Sequence, residues 1–473
     1  MVKLALPAGE LRDPLAQLLA AAVLRVSGYG EGSRSYRLGL DGRDGVSVRV
    51  FREKDIPIQI ALGNYDLGVC GSLWVEEMRA RYPEQPVVLL RDLGIGSMGL
   101  YVAAAAGTFE DVSSLALSGL RIASEFPNLT EAFAMAVRLP AYRVQAVWGA
   151  AEAYPPEDAD IAVIAAAHGD DLRAHRLVPL FRLLEGSAWL IANRESLRQK
   201  DLSPLLRPLL AGGAQARGHP RLELPSSPAR GGARSRPSAA ERQVVRLALP
   251  DGHQQRHAVA ALAAAGLALD GYDESRCDRR PVSPVAGLEV KVVRPHDMPQ
   301  LVATGEMDLA VTGRDCLMEH LYRFPSSPVE EVADLERGQF NLSAVVSEDV
   351  PADSVVDALA YWRSQGKRTL RVASEFPGIA DHYARRKHFW RYQVIPIAGA
   401  SEGFVPEDAE LLIEGTETGK TLAENRLKAI DTLFRSTICI IAGRGREMSG
   451  QRRQVFDEVV ASLRRSAEAV QRV

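Results

Sequence analysis

Cysteine is scarce: Cys70, Cys277, Cys316 and Cys439 are the only four in 473 residues, and no two form a CxxC pair. That scarcity excludes a disulfide framework and points to a reducing compartment. Long apolar runs are missing as well. Leu18 to Leu24 belongs to an Ala/Leu-rich helix, and no stretch reaches membrane-spanning length. The opening Met1-Val2-Lys3-Leu4-Ala5-Leu6-Pro7 reads as a strand and lacks the parts of an export signal. A net charge of −3 gives no excess of either sign to attract nucleic acid or a membrane. The expectation is a cytoplasmic protein with neither as a partner. What is present is ordinary for a globular chain: 46% hydrophobic and 25% charged residues.

The chain repeats itself. Lys3-Leu4-Ala5-Leu6-Pro7 returns as Arg246-Leu247-Ala248-Leu249-Pro250, and Arg52 to Pro57 returns as Arg294 to Pro299. Gly63 to Leu67 matches Gly305 to Leu309, and Asp92-Leu93 matches Asp334-Leu335. Arg121 to Pro127 matches Arg371 to Pro377, and Pro156 to Ala159 matches Pro406 to Ala409. The offset is near 242 early in each half and 250 from Arg121 to Leu177. One small step in a steady register means two copies of one fold. The copies are residues 1–217 and 244–473. Between them, 218–243 is rich in Pro, Gly, Ser and Arg without apolar periodicity and reads as a flexible linker.

Short apolar strands alternate with amphipathic helices in each copy. In the first they fall at Lys3–Leu6, Val46–Phe51, Asp66–Cys70, Val87–Leu90, Gly99–Ala104, Arg121–Ser124, Tyr142–Val147, Asp160–Ile164 and Ala188–Ala192. Helices are expected at Leu11–Leu24 and Asn128–Arg138. This alternation predicts α/β lobes with mostly parallel sheets, two lobes per copy and a ligand in the cleft between them.

Chemistry concentrates in Glu414-Gly415-Thr416-Glu417-Thr418-Gly419-Lys420-Thr421-Leu422, between the apolar Leu411-Leu412-Ile413 and a helix expected over Ala423 to Ala429. A polar turn with glycine and threonines lets backbone N–H groups wrap an anion, and Lys420 adds positive charge. Glu414 and Glu417 suit the hydroxyls of an attached sugar. The nonapeptide reads either as a site for a phosphorylated ribose or as a surface turn capping a helix, and it is not a Walker A loop. The first copy has Ile164-Ala165-Ala166-Ala167-His168-Gly169-Asp170-Asp171-Leu172 in its place. Asp170 and Asp171 stand where Lys420 and Thr421 do, two negative charges where a phosphate would sit, so this copy is not expected to bind phosphate in that way.

These stretches, in this order, resemble the catalytic part of the short-form ATP phosphoribosyltransferases of histidine biosynthesis. Arg52 to Pro57, Asp66 to Gly71, Asp92-Leu93-Gly94-Ile95-Gly96 and Arg121 to Leu129 carry the likeness in the first copy. In the second it rests on Arg294 to Pro299, Asp308 to Gly313, Arg371 to Pro377 and Glu414 to Leu422. The resemblance implies two tandem copies of a two-lobed fold like that of type II periplasmic binding proteins. It implies transfer of 5-phosphoribose from phosphoribosyl pyrophosphate (PRPP) to N1 of ATP, with Mg²⁺ present. It places PRPP phosphate at Glu417, Thr418, Gly419, Lys420 and Thr421, and the ribose hydroxyls at Glu414. Family subunits pair, with arginines of this segment reaching the neighbour's site. The resemblance therefore implies an internal pseudo-dimer in which Arg52, with Arg37, completes the second-copy site and Arg294 faces the degenerate one. A further homo-oligomer is compatible with it. The plainer alternative is that Arg52 and Arg294 only brace a turn with Asp55 and Asp297.

One departure bears on the acceptor. The family's L-P-K-G-R-L reads Leu6-Pro7-Ala8-Gly9-Glu10-Leu11 and Leu249-Pro250-Asp251-Gly252-His253-Gln254, without the basic residues. Either another nitrogen heterocycle replaces ATP or the charge comes from elsewhere, with Arg276, Arg279 and Arg280 as candidates. A non-catalytic nucleotide-binding paralogue is the third reading. His253 and His257 have a metal-compatible spacing but no third ligand in sequence. His382 and Trp390 read either as base-stacking or as core residues. Glu402 and its counterpart Glu152 read as a site role or a shared structural one.

Overall fold

The computed structural model describes residues 1–471 except 31–32, 34, 116–118, 212–218, 226–241, 417–418, 446–447 and 449. Most of the linker lies outside the described residues. Residues 219–225 are described, and the Glu223 N–H donates to the Leu183 carbonyl at 2.7 Å.

Lobe I of the first copy is a six-stranded sheet in the order Arg37–Gly39, Val46–Phe51, Val2–Pro7, Leu67–Gly71, Ala188–Asn193, Val87–Asp92. Lobe II is a five-stranded sheet in the order Leu177–Gly186, Met98–Ala105, Ile161–Ala166, Leu120–Ser124, Tyr142–Ala146. Strands rich in Val, Ile, Leu and Ala fill both layers, because a strand covered on both faces must be apolar throughout. Val245–Pro250, buried at every position and apolar but for Arg246, which pairs with Asp158, shows this in the second copy.

The expectation of mostly parallel sheets is corrected. Ala188–Asn193 runs antiparallel to both neighbours, and Met98–Ala105 runs antiparallel to Ile161–Ala166 and Leu177–Gly186. The physical reason is the crossing between lobes: the chain leaves lobe I and returns to it along one antiparallel pair. In the second copy this pair is unbroken. Val329–Ser347 and Leu427–Gly443 run through both lobes and merge them into one eight-stranded sheet. In the first copy the same path is interrupted near Gly94 and Gly96, both at positive φ, and at Ser187. Leu177–Gly186, which contains Pro179, was not anticipated as a strand, nor was the short Arg37–Gly39.

The helix expected over Ala423–Ala429 is also corrected. It covers only Lys420–Glu424, because Arg426 takes a left-handed φ of 55° and Leu427 begins the long strand. The closing helix, Gly450–Gln471, buries Val455, Val459, Val460 and Leu463 as their spacing predicts. No helix among the described residues is long and apolar enough to cross a membrane.

The copies pack head to tail. Phe51, Ile56, Ile60 and Tyr65 of the first lobe I share a core with Ile397, Phe404, Leu412 and Leu422 of the second lobe II. Reciprocally, Met298, Leu301, Val302 and Met307 pack with Val147, Tyr154, Ile164 and Leu177. Polar contacts repeat the same symmetry. The Asp55 carboxylate accepts the Ala398 N–H at 3.0 Å, and Asp297 accepts the Trp148 N–H at 3.1 Å. These contacts show that Asp55 and Asp297 tie one copy to the other, beyond any bracing of their own turns.

Candidate active site

In the second copy, two strand ends and one short turn converge. Glu414 closes Leu411–Thr416, Glu375 follows Leu370–Ser374, and Ser401 and Glu402 lie on the turn Ser401–Phe404. The Ser401 hydroxyl donates to the Glu414 carboxylate in a short contact and also approaches Glu402 at 3.3 Å. The Gly415 N–H donates to Glu414 at 3.1 Å. Burial, followed by the charges of Glu375 and Glu402, holds the Glu414 carboxyl well above the usual carboxylate range. Burial raises Glu375 and Glu402 too. Three crowded carboxyls cannot all stay ionised at low cost, so the group favours a hydroxyl donor or developing positive charge nearby.

The first copy supplies the opposing cations. Arg52 and Lys54 act on Glu375 against its burial. A β-carbon at Gly399 would lie 3.0 Å from both Arg52 Nε and a Glu375 oxygen. Gly399, at φ 115°, is therefore needed both for its backbone shape and for the passage of Arg52. Tyr36 stands at the same place: burial and then Glu402 push its phenol up. Its N–H donates to Asn425 Oδ1 at 3.0 Å, while Arg37 reaches Glu407 at 3.2 Å and the Asn425 carbonyl at 3.5 Å. Asn425 in turn donates to the Thr421 carbonyl at 2.8 Å. The first copy thus props the short helix Lys420–Glu424 that follows Gly419.

Of the loop residues singled out by sequence, Glu417 and Thr418 lie outside the described residues. Gly419 takes φ 71° with open space where a β-carbon would stand, and Lys420 is exposed beside Glu424 at 3.9 Å. Thr421 is half-buried on the short helix. Glu375, Lys54 and Tyr36 were missed. Their signal was in the repeated Ala-Ser-Glu-Phe-Pro and in the segments either side of Arg52, but these come together only when the copies are packed.

The first-copy half is wired differently. Ile164, in the place of Glu414, is buried. Asp171 accepts the His168 N–H at 2.8 Å, occupying with its own carboxylate a donor that an anion would need. Arg294 reaches this half, 3.1 Å from Asp251 and against Gly149. Arg279 is held by Glu152 at 2.6 Å and Asp251 at 2.7 Å, and Arg280 by Glu157 at 2.8 Å. Arg276 pairs with Asp278 at 2.6 Å. Arg279 and Arg280 thus make their contacts to the first copy's lobe II, not at the second-copy site. The His253 and His257 rings stack 6.0 Å apart, and no group of three or more His, Cys, Asp or Glu among the described residues is placed to hold a metal ion. His382 stacks on Tyr322, and Trp390 donates to the Arg368 carbonyl.

A sequence model of the family described as "HisG: ATP phosphoribosyltransferase" matches residues 52–211 and again 294–465. The ATP phosphoribosyltransferase of Methanothermobacter thermautotrophicus is 30% identical over 223 residues, 46% of this chain and 71% of its own. That of Methanosarcina acetivorans is 31% identical over 205 residues, 42% of this chain and 65% of its own. Among solved structures, the ATP phosphoribosyl transferase (HisG:HisZ) complex from Thermotoga maritima aligns with a TM-score of 0.37 at 19% identity, over 48% of this chain and 100% of that one. The two matched segments fall one in each copy and together take in well over half of the residues, so the chain belongs to the ATP phosphoribosyltransferase family.

Proposed function

We propose that the second copy, completed by the first, transfers 5-phosphoribose from PRPP to N1 of ATP and releases pyrophosphate, the opening step of histidine biosynthesis. The observation that carries this reading is the asymmetry of the two loops. Gly419 leaves its loop open beside a proton-rich Glu414, whereas Asp171 closes the loop of the other copy. In the transfer, the bond from C1 to the pyrophosphate oxygen breaks with its electron pair leaving on oxygen. N1 of the adenine supplies the pair for the new bond to C1. Positive charge grows on the ribose between these events, and Glu375, Glu402 and Glu414 surround that charge with carboxyls. Arg52 faces the same group and is assigned to the departing phosphates. Mg²⁺ carried by the substrate would neutralise the charge of the departing pyrophosphate.

A different nitrogen heterocycle as acceptor is the second reading. The observation favouring it is that the lobe I completing this site has Ala8 and Glu10 where the family has basic residues, beside Gly9, whose β-carbon position lies 3.9 Å from the Arg52 guanidinium. A soluble cytoplasmic setting and a pseudo-dimer that works as the catalytic unit are parts of the same proposal. Pairing with a regulatory subunit is not required by it.

The test is pyrophosphate release from PRPP and Mg²⁺, with and without ATP, in the wild type, Gly419→Asp and Arg52→Ala. Aspartate tolerates a left-handed backbone and finds open space at 419, so the fold should survive. ATP-dependent release that Gly419→Asp abolishes and Arg52→Ala lowers at least about tenfold is expected, a loss near 1.4 kcal/mol. PRPP binding without ATP-dependent release would move the acceptor to another heterocycle. Unchanged turnover in Arg52→Ala would overturn the cross-copy role.

A further inference from the structure

Where the two copies adjoin, a cation and three rings form a column. Lys54 Nζ stands 4.6 Å over the centre of the Trp148 ring. Trp148 stacks on His296 at 4.4 Å with the planes 22° apart, and His296 stacks on Phe376 at 5.3 Å with the planes 19° apart. Each lobe of each copy contributes one of these side chains, and Phe376 directly follows Glu375 of the candidate active site. Lys54 and His296 are counterparts in the repeat, and the counterpart of Trp148 is Ala398. The mirror image of the column cannot form. Ala398 gives Asp55 the same backbone bond that Trp148 gives Asp297, but it carries no ring. His296 also keeps the column to one charge. Burial, then Lys54 and Arg294, push its imidazole down to about 4, so at neutral pH it is uncharged and does not repel the ammonium.

We propose that Trp148, on lobe II of the first copy, is a positioning residue for the second-copy site: it holds the half-buried Lys54 ammonium in place to act on Glu375. This inference rests on the transferase reading above and deepens it. Lys54 is the leading charge opposing burial at Glu125 in the first-copy half and, after Arg52, opposes it at Glu375 in the second. Glu125 and Glu375 are counterparts, so one ammonium stands between two equivalent carboxyls on a flexible stem. An aromatic face under the ammonium favours one position over the others by a factor of about 2 to 30. The charges acting on Glu375 are Arg52 and Lys54 from the first copy and Glu402, Glu414 and Asp315 from its own. Taking Lys54 out of that set tips Glu375 toward its protonated form, whereas the ionised form is the one that meets positive charge growing on the ribose.

The experiment compares the wild type with Lys54→Met, Trp148→Ala, Trp148→Phe and the double variant Lys54→Met/Trp148→Ala, all as full chains. Trp148 is partly exposed and its N–H bond to Asp297 survives substitution, so the variants should fold. The first readout needs no turnover: labelling of Lys54 by acetic anhydride, followed by mass spectrometry. It should be about threefold faster in Trp148→Ala, and close to the wild-type rate in Trp148→Phe, which keeps an aromatic face. The second is kcat/KM for PRPP across pH. It should fall about fivefold in Lys54→Met and in Trp148→Ala, with the acidic limb displaced to higher pH, and Trp148→Phe should recover most of both. The double variant should be no worse than Lys54→Met, because Trp148 acts through Lys54 alone. Labelling that ignores Trp148→Ala, an acidic limb that stays in place, or losses that add in the double variant would each overturn the proposal. Faster labelling in Trp148→Ala of a chain whose wild type releases no pyrophosphate would overturn the transferase reading and still tie Lys54 to Trp148.

Discussion

Asp55 and Asp297 occupy the same place in the two copies, and each is buried with its carboxylate on a backbone N–H of the other copy. Burial drives both up to about 7 from 3.8, with the backbone hydrogen bonds opposing. A carboxyl raised in the folded state binds more protons there than in the unfolded chain between pH 4 and pH 7. Its contribution to stability is present below the unfolded value and is lost as pH rises through about 7. Asp297→Asn keeps the acceptor and removes the titration. Its thermal midpoint should vary less than the wild type's between pH 5 and pH 8, and should equal or exceed it at pH 8; scanning calorimetry across that range is the check. An unchanged slope would mean that Asp297 titrates normally. Such residues are hard to read in advance. Asp170 and Asp171 were legible in sequence as two charges at one turn, and the structure shows how they are used: Asp171 accepts the His168 N–H and Asp170 pairs with Arg173. Asp55 and Asp297 looked like helix-turn residues, since the partners they bind come from the other half of the chain.

The strands are where sequence spoke most clearly. All nine expected in the first copy are present, with ends shifted by a residue or two, since apolar runs bounded by turn residues leave little choice. The crossing pair was legible only in pieces: direction is not encoded in a strand's composition, and Pro179 disguised Leu177–Gly186. Contacts between elements follow the same rule of equal placement and unequal chemistry. Asp158, fully buried on the first copy, receives Arg246 at 2.7 Å and Lys291 at 2.5 Å from two adjacent strands of the second. Its counterpart Asp408 receives only the Tyr65 hydroxyl, at 2.8 Å, among the described contacts. The Arg and Lys neighbours hold Asp158 down to about 2 against its burial. Removing the carboxylate leaves Lys291 with Glu157 and Arg246 with the Glu306 carbonyl, two buried cations short of one partner each, and breaking such a buried pair typically costs about 3–5 kcal/mol. Asp158→Ala should therefore lower the urea midpoint substantially more than Asp408→Ala, where about 1–3 kcal/mol is at stake. Equal losses would show that the two latches carry equal weight.

At the scale of the molecule, each lobe I closes on the other copy's lobe II, and the cross-copy cores contain Phe51, Phe404, Met298 and Tyr154. Fusion of the copies turns their meeting into an intramolecular event, whose effective concentration for a linker of this order is about millimolar. A paired enzyme made of separate subunits loses its shared sites on dilution, and a covalently joined pair should not. Specific activity of the intact chain should stay flat from micromolar to nanomolar protein. A mixture of residues 1–217 with residues 244–473, made separately, should lose activity over the same range. The covalent tie also removes the demand that both partners be alike, because a given first copy always meets the same second copy. Mutations that would strike a symmetric pair twice over fall here on one half only, so the two halves are at liberty to carry different chemistry at one shared place, as Glu414 and Ile164 do.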